Sequence, residues 1–370
     1  MFPEESPHMT LVISPLRSLM LNQVKRWSKV SPTIKPVAIM HRKDMTAEEV
    51  TALQKGEYNL IFTSPEAISS ATWWDWLRQY RDSISLLVID EVHCLTQWGQ
   101  TFRQDYLLVP RLRSRLCKTP IMMLTATATS TMVDDILLSM HLNRADVRVV
   151  AAIPDRPNIF LEVKDSKTFE EAFAEYLEVL REEGGKAPKA IIYAREVESV
   201  SNIFAWMVSS LGEKAFTDRE HPTVHNRIVE MYHAGTDKES QVRVANGIVE
   251  PKSSLRCVVA TIAFGMGINL PDVEFVFHWG ASADIMSYWQ EVGRCARDGR
   301  QGKAMLFIFP RSLDKRRVDE KFRQLIENVR SKSNCLRRGI LEHLFLPEMR
   351  KVELEAACLN SVCCSACKQV

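Results

Sequence analysis

Leu86-Leu87-Val88-Ile89-Asp90-Glu91-Val92-His93 decides how the chain is read, because four apolar residues run directly into two carboxylates and a histidine. A run that is apolar on both faces belongs inside a parallel sheet, and ligands of such sheets gather at the carboxyl ends of the strands. The carboxylates therefore stand where a nucleotide is expected. In phosphoanhydride hydrolysis one carboxylate helps hold Mg²⁺, usually through water, and its neighbour orients or deprotonates the attacking water. Asp90 suits the first role and Glu91 the second. A second reading of the same residues is a turn capping the next helix, since carboxylates favour helix N-termini.

Downstream, aromatic residues recur every fourth position, which on a helix aligns Trp98, Phe102 and Tyr106 on one face. Core packing accounts for that spacing. Gly99 interrupts a helix, however, and Gln97, Arg103 and Asp105 crowd the segment with polar groups. An exposed loop that stacks bases and meets phosphate through Arg103 is the other reading, stacking being worth roughly 1–3 kcal/mol per base.

The run Asp90 to Tyr106 resembles motif II and the aromatic-rich loop of RecQ-family DNA helicases, members of helicase superfamily 2. Further segments match in order. Leu11 to Met20 (LVISPLRSLM) resembles motif Ia, Phe62 to Glu66 motif Ib, and Leu124-Thr125-Ala126-Thr127-Ala128 motif III. Ile191 to Ala194 is similar to motif IV and Tyr232 to Gly235 to the segment after it; Thr261 to Asn269 (TIAFGMGIN) resembles motif V, and Gln290 to Gly299 (QEVGRCARDG) motif VI.

The resemblance implies an α/β chain of two RecA-like parallel-sheet domains, residues 1–152 and 153–310, followed by a small helical zinc-binding subdomain at 311–370. It implies a 3′–5′ DNA helicase that couples ATP hydrolysis to unwinding in repair or recombination, with ATP and Mg²⁺ as cofactors and single-stranded DNA and duplex junctions as partners. His93 joins Asp90 and Glu91 in the catalytic set, and Arg294 and Arg297, three apart on an expected helix, stabilise charge on the transferred phosphoryl group. Gln290, Gly265, Gly267 and Asp272 are implied nucleotide contacts, and Ser14, Arg17, Thr63, Trp98, Phe102 and Arg103 implied DNA contacts. Without the resemblance, the arginines read as two solvated residues on a surface helix.

Periodicity supports two α/β halves. Thr10 to Ile13, Leu60 to Thr63, Leu86 to Ile89 and Ile121 to Leu124 read as buried strands, as do Ile159 to Val163, Ala190 to Tyr193, Cys257 to Ala260, Val273 to His278 and Ala304 to Phe309. Asp155-Arg156-Pro157-Asn158 reads as the connector, and the tryptophans of Trp73-Trp74-Asp75-Trp76 as core anchors of a helix.

Five of the nine cysteines, Cys335, Cys358, Cys363, Cys364 and Cys367, fall in the C-terminal tail. Clustered thiols with a Cys-x-x-Cys element favour tetrahedral Zn²⁺. Cys364 and Cys367 form that element with Cys335 and Cys358 as distal ligands, and Cys363 competes for the third position. A merely reduced cluster is the alternative.

A formal charge of +2 excludes a strong global field, so contacts to nucleic acid must come from local patches. No apolar stretch is long enough to span a bilayer, and the acidic, proline-broken start is unlike a secretory signal; an intracellular protein, nuclear in a eukaryote, is expected. One departure from the family is large. No Gly-x-x-x-x-Gly-Lys-Ser/Thr phosphate loop occurs, so the sequence resembles a member lacking its N-terminal segment, with an incomplete first domain and an unpaired sheet edge. Ala296 stands where the family usually has Gly between the two arginines, and Gln100 where it usually has His.

Overall fold

Two parallel sheets organise the chain, one in each of two compact units, Met1–Val150 and Ala151–Val370. The computed structural model describes residues 8–15, 17–40, 45–97, 104–262, 264, 270, 272–358 and 363–367. Residues 311–370 cluster with the second unit.

In the first unit β1 (Met9–Ile13), β2 (Pro36–Ile39), β3 (Leu60–Thr63), β4 (Ile84–Ile89) and β5 (Ile121–Met123) stand in the order β2-β3-β1-β4-β5, all parallel. Leu11, Ile13, Leu87 and Ile89 are fully buried, as strands covered on both faces require. Trp73 joins the same core from the helix Ala71–Tyr80. The helix Ala47–Gln54 starts at a capping box, Thr46 Oγ1 accepting from Glu49 N (3.1 Å) and Glu49 Oε2 from Thr46 N (2.8 Å). From β1 the chain moves to one side of the sheet and from β4 to the other. The carboxyl ends of β1 and β4 therefore flank a topological switch point, where open α/β sheets bind ligands. At the far edge, β5 has no outer strand partner among the described residues, and Met122 is 48% exposed.

The second unit contains β6 (Ile159–Asp165), β7 (Lys189–Ala194), β8 (Val229–Tyr232), β9 (Cys257–Ala260), β10 (Val273–Trp279) and β11 (Gly302–Ile308), in the order β6-β11-β10-β7-β9-β8. Its switch point lies between β7 and β10, where the Tyr193 and His278 rings stack at 5.5 Å. The edge strand β6 is capped by the cysteine-rich tail: Leu161 N donates to Cys363 O (3.2 Å), Ser365 N to Leu161 O (2.9 Å) and Val163 N to Ser365 Oγ (3.2 Å). Those bonds satisfy backbone groups that an edge would otherwise leave open.

Two strands escape the sequence reading. β2 opens on a proline and is only four residues long, a composition confined to sheet edges. β8 carries Glu230, which is 2% exposed and breaks the apolar run. Its carboxylate is neutralised by Arg227 and Arg243, each 2.8 Å away.

Candidate functional site

Asp90 leaves β4 at the first switch point, its N–H donating to Ile13 O at 2.9 Å. Glu91 takes φ +49°, a left-handed conformation that costs a non-glycine residue on the order of 1 kcal/mol or more. The flanking backbone enforces it: Leu124 N donates to Ile89 O and Val92 N to Leu124 O, both at 2.9 Å. The sharp turn holds both carboxylates beyond the sheet, with Glu91 N donating to Asp90 Oδ1 (3.0 Å). Burial, and then repulsion by Glu91, raises the Asp90 carboxyl above its ordinary range.

His93 is 5% exposed, and burial pushes its imidazole down to about 4, so the ring is neutral at physiological pH. Nδ1 lies 3.0 Å from Thr125 Oγ1 and 3.4 Å from Glu91 Oε2. The Thr125 hydroxyl already donates to Thr127 O (2.8 Å), so its oxygen accepts and Nδ1 carries the ring proton. That tautomer makes the Glu91 carboxylate a second acceptor beside the same N–H. The motif II and motif III segments are thus joined by one neutral imidazole.

In the second unit the helix Ile285–Val292 is capped by Asp284, whose Oδ1 accepts from Ser287 N (2.7 Å). Its buried Glu291 accepts from Ser282 Oγ (2.6 Å) and meets His278 Nε2 at 2.8 Å. The helix ends at Val292. Arg294 and Arg297 consequently lie on the following turn and not on the helix expected from their spacing. Past Gly293 the backbone bonds tighten, Arg294 N donating to Glu291 O and Cys295 N to Val292 O, and Ala296, at φ +47°, donates its N–H to Val273 O, where the chain turns back toward β11. Arg294 is half-buried; Arg297 is exposed, with Nε donating to Gly293 O (3.0 Å).

Cys335, Cys363, Cys364 and Cys367 have their sulfurs within 4.8 Å of one another. Four of the separations are 3.4, 3.7, 3.8 and 3.6 Å. A tetrahedral ion with metal–sulfur bonds of about 2.3 Å sets its ligands about 3.8 Å apart, so the thiols fit Zn²⁺. Cys335 caps the helix Leu336–His343, with Arg338 N donating to its sulfur at 3.5 Å. Hydrogen bonds from Cys335 and Cys363 hold the Cys364 thiol far below its usual range, while burial raises Cys367 to about 12. Of the two candidates for the third ligand, Cys363 and Cys364 are both in the cluster. The Cys358 side chain lies outside the described residues.

Comparison with known proteins places this geometry. Residues 3–136 match the DEAD/DEAH box helicase family and residues 171–299 the helicase conserved C-terminal domain. The ATP-dependent helicase wrn-1 of Caenorhabditis elegans is 30% identical over 379 residues, covering 98% of this chain and 33% of that protein. The ATP-dependent DNA helicase Q-like 2 of Arabidopsis thaliana is 30% identical, covering 98% of this chain and 50% of its own length. The ATP-dependent DNA helicase RecQ of Pasteurella multocida is 33% identical over 305 residues, covering 82% and 44%. The chain belongs to the RecQ family of helicases.

It spans about a third to a half of the length of these RecQ relatives. Among solved structures, the DUF1998 helicase MrfA bound to DNA has a TM-score of 0.63 at 16% identity, covering 88% of this chain and 44% of that one. The DEAD-box helicase Mss116 bound to ssRNA has a TM-score of 0.61 at 16% identity, covering 95% and 67%. Both establish the two-sheet helicase fold.

The remaining expected site residues fall as follows. Ser14 and Thr63 are buried at the carboxyl ends of β1 and β3, linked by Ser14 N donating to Thr63 O (2.9 Å). The Thr63 hydroxyl donates to Ile39 O (2.9 Å) and so ties β3 to β2. Arg17 opens the helix Arg17–Trp27 and is exposed. Gln290 is half-buried on the helix before the arginine turn. Asp272 pairs with the buried Lys189 at 2.8 Å, so its charge serves an ion pair at the amino ends of β7 and β10. Trp98, Phe102, Arg103, Gly265 and Gly267 lie outside the described residues, and no described helix is long and apolar enough to cross a membrane. Sequence reasoning passed over Thr125, His278, Glu291 and Arg156 as functional positions. Thr125 and Glu291 stood inside quoted motifs; nothing local marked the other two.

Proposed function

We propose that this chain is the motor region of a RecQ-type DNA helicase that couples ATP hydrolysis to 3′–5′ movement on DNA. The observation that carries the reading is the Asp90–Glu91 turn at the first switch point, held in left-handed backbone and braced by neutral His93 on Thr125. Asp90 is the residue to hold Mg²⁺, which supplies charge neutralisation for phosphoryl transfer, and Glu91 the one to orient the attacking water. Arg294 and Arg297, on a turn and not locked into a helix, are the cations for charge developing on the phosphoryl oxygens. Arg17 and the aromatic segment with Trp98, Phe102 and Arg103 are the proposed single-strand contacts. Ser14 and Thr63, at the carboxyl ends of β1 and β3, are proposed to join those contacts. The four-sulfur cluster is proposed to hold Zn²⁺ as a closed structural site with no open position for chemistry.

Single-strand-DNA-stimulated ATP hydrolysis tests this, measured on the chain and on a form extended at its N-terminus where the gene supplies one. Stimulated turnover supports a motor. DNA binding without hydrolysis in both forms would establish the second reading, an ATP-incompetent DNA-binding or regulatory paralogue.

A further inference from the structure

The turn that carries Arg294 and Arg297 has its carbonyls gripped from outside. Arg156 Nη1 donates to Gly293 O (3.1 Å), and Nη2 donates to Cys295 O (2.7 Å) and Ala296 O (3.0 Å). Asn158 Nδ2 reaches Ala296 O (3.0 Å) and Arg300 O (2.7 Å). Both residues belong to the segment that precedes β6, so three carbonyls of a distant turn are fixed by one planar guanidinium. Lysine offers a single point charge and cannot hold three acceptors in one geometry.

The same segment is gripped on its other side. Arg337 is 1% exposed, pairs with the Asp155 carboxylate, and donates through Nη1 to Arg156 O (2.9 Å) and through Nη2 to Ile159 O. Asp155 Oδ1 also accepts from Arg156 N (2.7 Å). Arg337 sits two residues after Cys335, in the first turn of the helix that this cysteine caps. A buried guanidinium must keep its partners, because leaving a charge unmatched in the interior costs several kcal/mol. A displacement of Cys335 therefore carries Arg337, and Arg337 carries the backbone of Asp155 and Arg156.

We propose that Arg337, Asp155 and Arg156 form a relay through which metal occupancy of the cysteine cluster sets the position of the arginine turn. Arg156 is a positioning residue, acting on Arg294 and Arg297 through their backbone. The functional consequence rests on those arginines serving ATP hydrolysis, as proposed above; the structural relay does not.

The test is hydrogen–deuterium exchange of the amides of residues 293–300 in the zinc-loaded protein, with single-strand-DNA-stimulated ATP hydrolysis of the same samples. Arg156→Ala raises exchange in that segment about tenfold or more, as expected for loss of charge-assisted bonds, and Arg156→Lys restores only part of it. In hydrolysis, kcat falls about tenfold with KM for ATP changed less than about twofold, the split of a group that acts only in the transition state. Stripping zinc from the wild type with a chelator raises exchange in the same amides. In Asp155→Asn, which keeps the shape of the site but takes the counter-charge from the buried Arg337, exchange is already raised and stripping adds little, because the two perturbations share one path. Unchanged exchange at 293–300, either in Arg156→Ala or on stripping the wild type, overturns the relay. Raised exchange with unchanged hydrolysis leaves the relay standing and removes the catalytic role of the arginines.

Discussion

His93 Nδ1 and Thr125 Oγ1 lie 3.0 Å apart across 32 residues of sequence, and because the threonine hydroxyl donates to Thr127 O, the bond fixes the tautomer of the neutral histidine. The ring is held uncharged by burial, at about 4 against an ordinary 6.5. Its neutrality keeps the Glu91 carboxylate beside a hydrogen-bond donor and away from a full positive charge.

That depression makes stability depend on pH in a defined direction. The unfolded chain takes up the His93 proton near 6.5 and the folded chain only near 4, so the contribution is fully present above 6.5 and is lost as pH falls toward 4. The loss is on the order of 3 kcal/mol at the lower end. Urea denaturation of wild type and His93→Gln across this range reads it. The variant is expected to have a flatter profile, and equal slopes in the two proteins would sink the assignment.

Asp90 works against the fold. Its carboxyl is raised by burial and by Glu91, so the charged form is penalised at neutral pH and the penalty is relieved as pH falls through the folded pKa. Asp90→Asn is expected to stabilise the free protein by about 0.5–1 kcal/mol while abolishing Mg²⁺-dependent hydrolysis. Thermal unfolding together with an ATPase assay checks both halves; a destabilised variant contradicts the electrostatic account.

Glu91→Gln keeps the shape of the turn and removes the proposed base. Stimulated hydrolysis should fall by roughly 10²- to 10⁴-fold, the usual contribution of a positioned acid–base group, with single-strand affinity unchanged in a fluorescence anisotropy titration. A decline of less than tenfold would move the base elsewhere.

Ala296 carries φ +47° while being 2% exposed, in contact range of Gly302, where a Cβ would come within 2.8 Å of its own. Relief of left-handed strain, about 1–2 kcal/mol, outweighs the extra unfolded-state entropy of glycine, about 0.5–1 kcal/mol. Ala296→Gly is therefore expected to be as stable as wild type or up to about 1 kcal/mol more so. Ala296→Val adds a branched side chain in the wrong conformation with no space for it, and should cost about 3 kcal/mol or more. Chemical denaturation of the pair decides, and an equal effect of both substitutions contradicts the strain argument.

Metal content separates the cysteines. Cys363→Ser and Cys364→Ser should each lose bound zinc, whereas Cys358→Ser should retain it, since four sulfurs already complete a tetrahedron. Zinc release measured with a colorimetric chelator on purified protein reports this, and loss of zinc in Cys358→Ser would shift the ligand set.

The alternating apolar and polar runs determined the two-sheet α/β architecture, because strands buried on both faces leave a hydropathy signature that no neighbour needs to complete. Leu60–Thr63 and Cys257–Ala260 are visible to the residue on that ground. β8 is not, because a buried Glu230 looks polar until Arg227 and Arg243 arrive from elsewhere to neutralise it. Local spacing also determined where the carboxylates would stand. It misassigned the helix under Arg294 and Arg297, where the helix ends at Val292 and the following turn is tied by Ala296 N to Val273 O, 23 residues away in sequence.

What only the tertiary structure decided is everything that depends on meeting: that the adjacent Cys363 and Cys364 both meet Cys335, that Thr125 fixes the His93 proton, and that the short segment Arg337 grips is the one from which Arg156 holds the arginine turn. Sequence carries donor and acceptor types and their local spacing. Hydrogen bonds and metal geometry are satisfied within a few tenths of an ångström in space, and that precision exists only once the sheets have brought distant residues together.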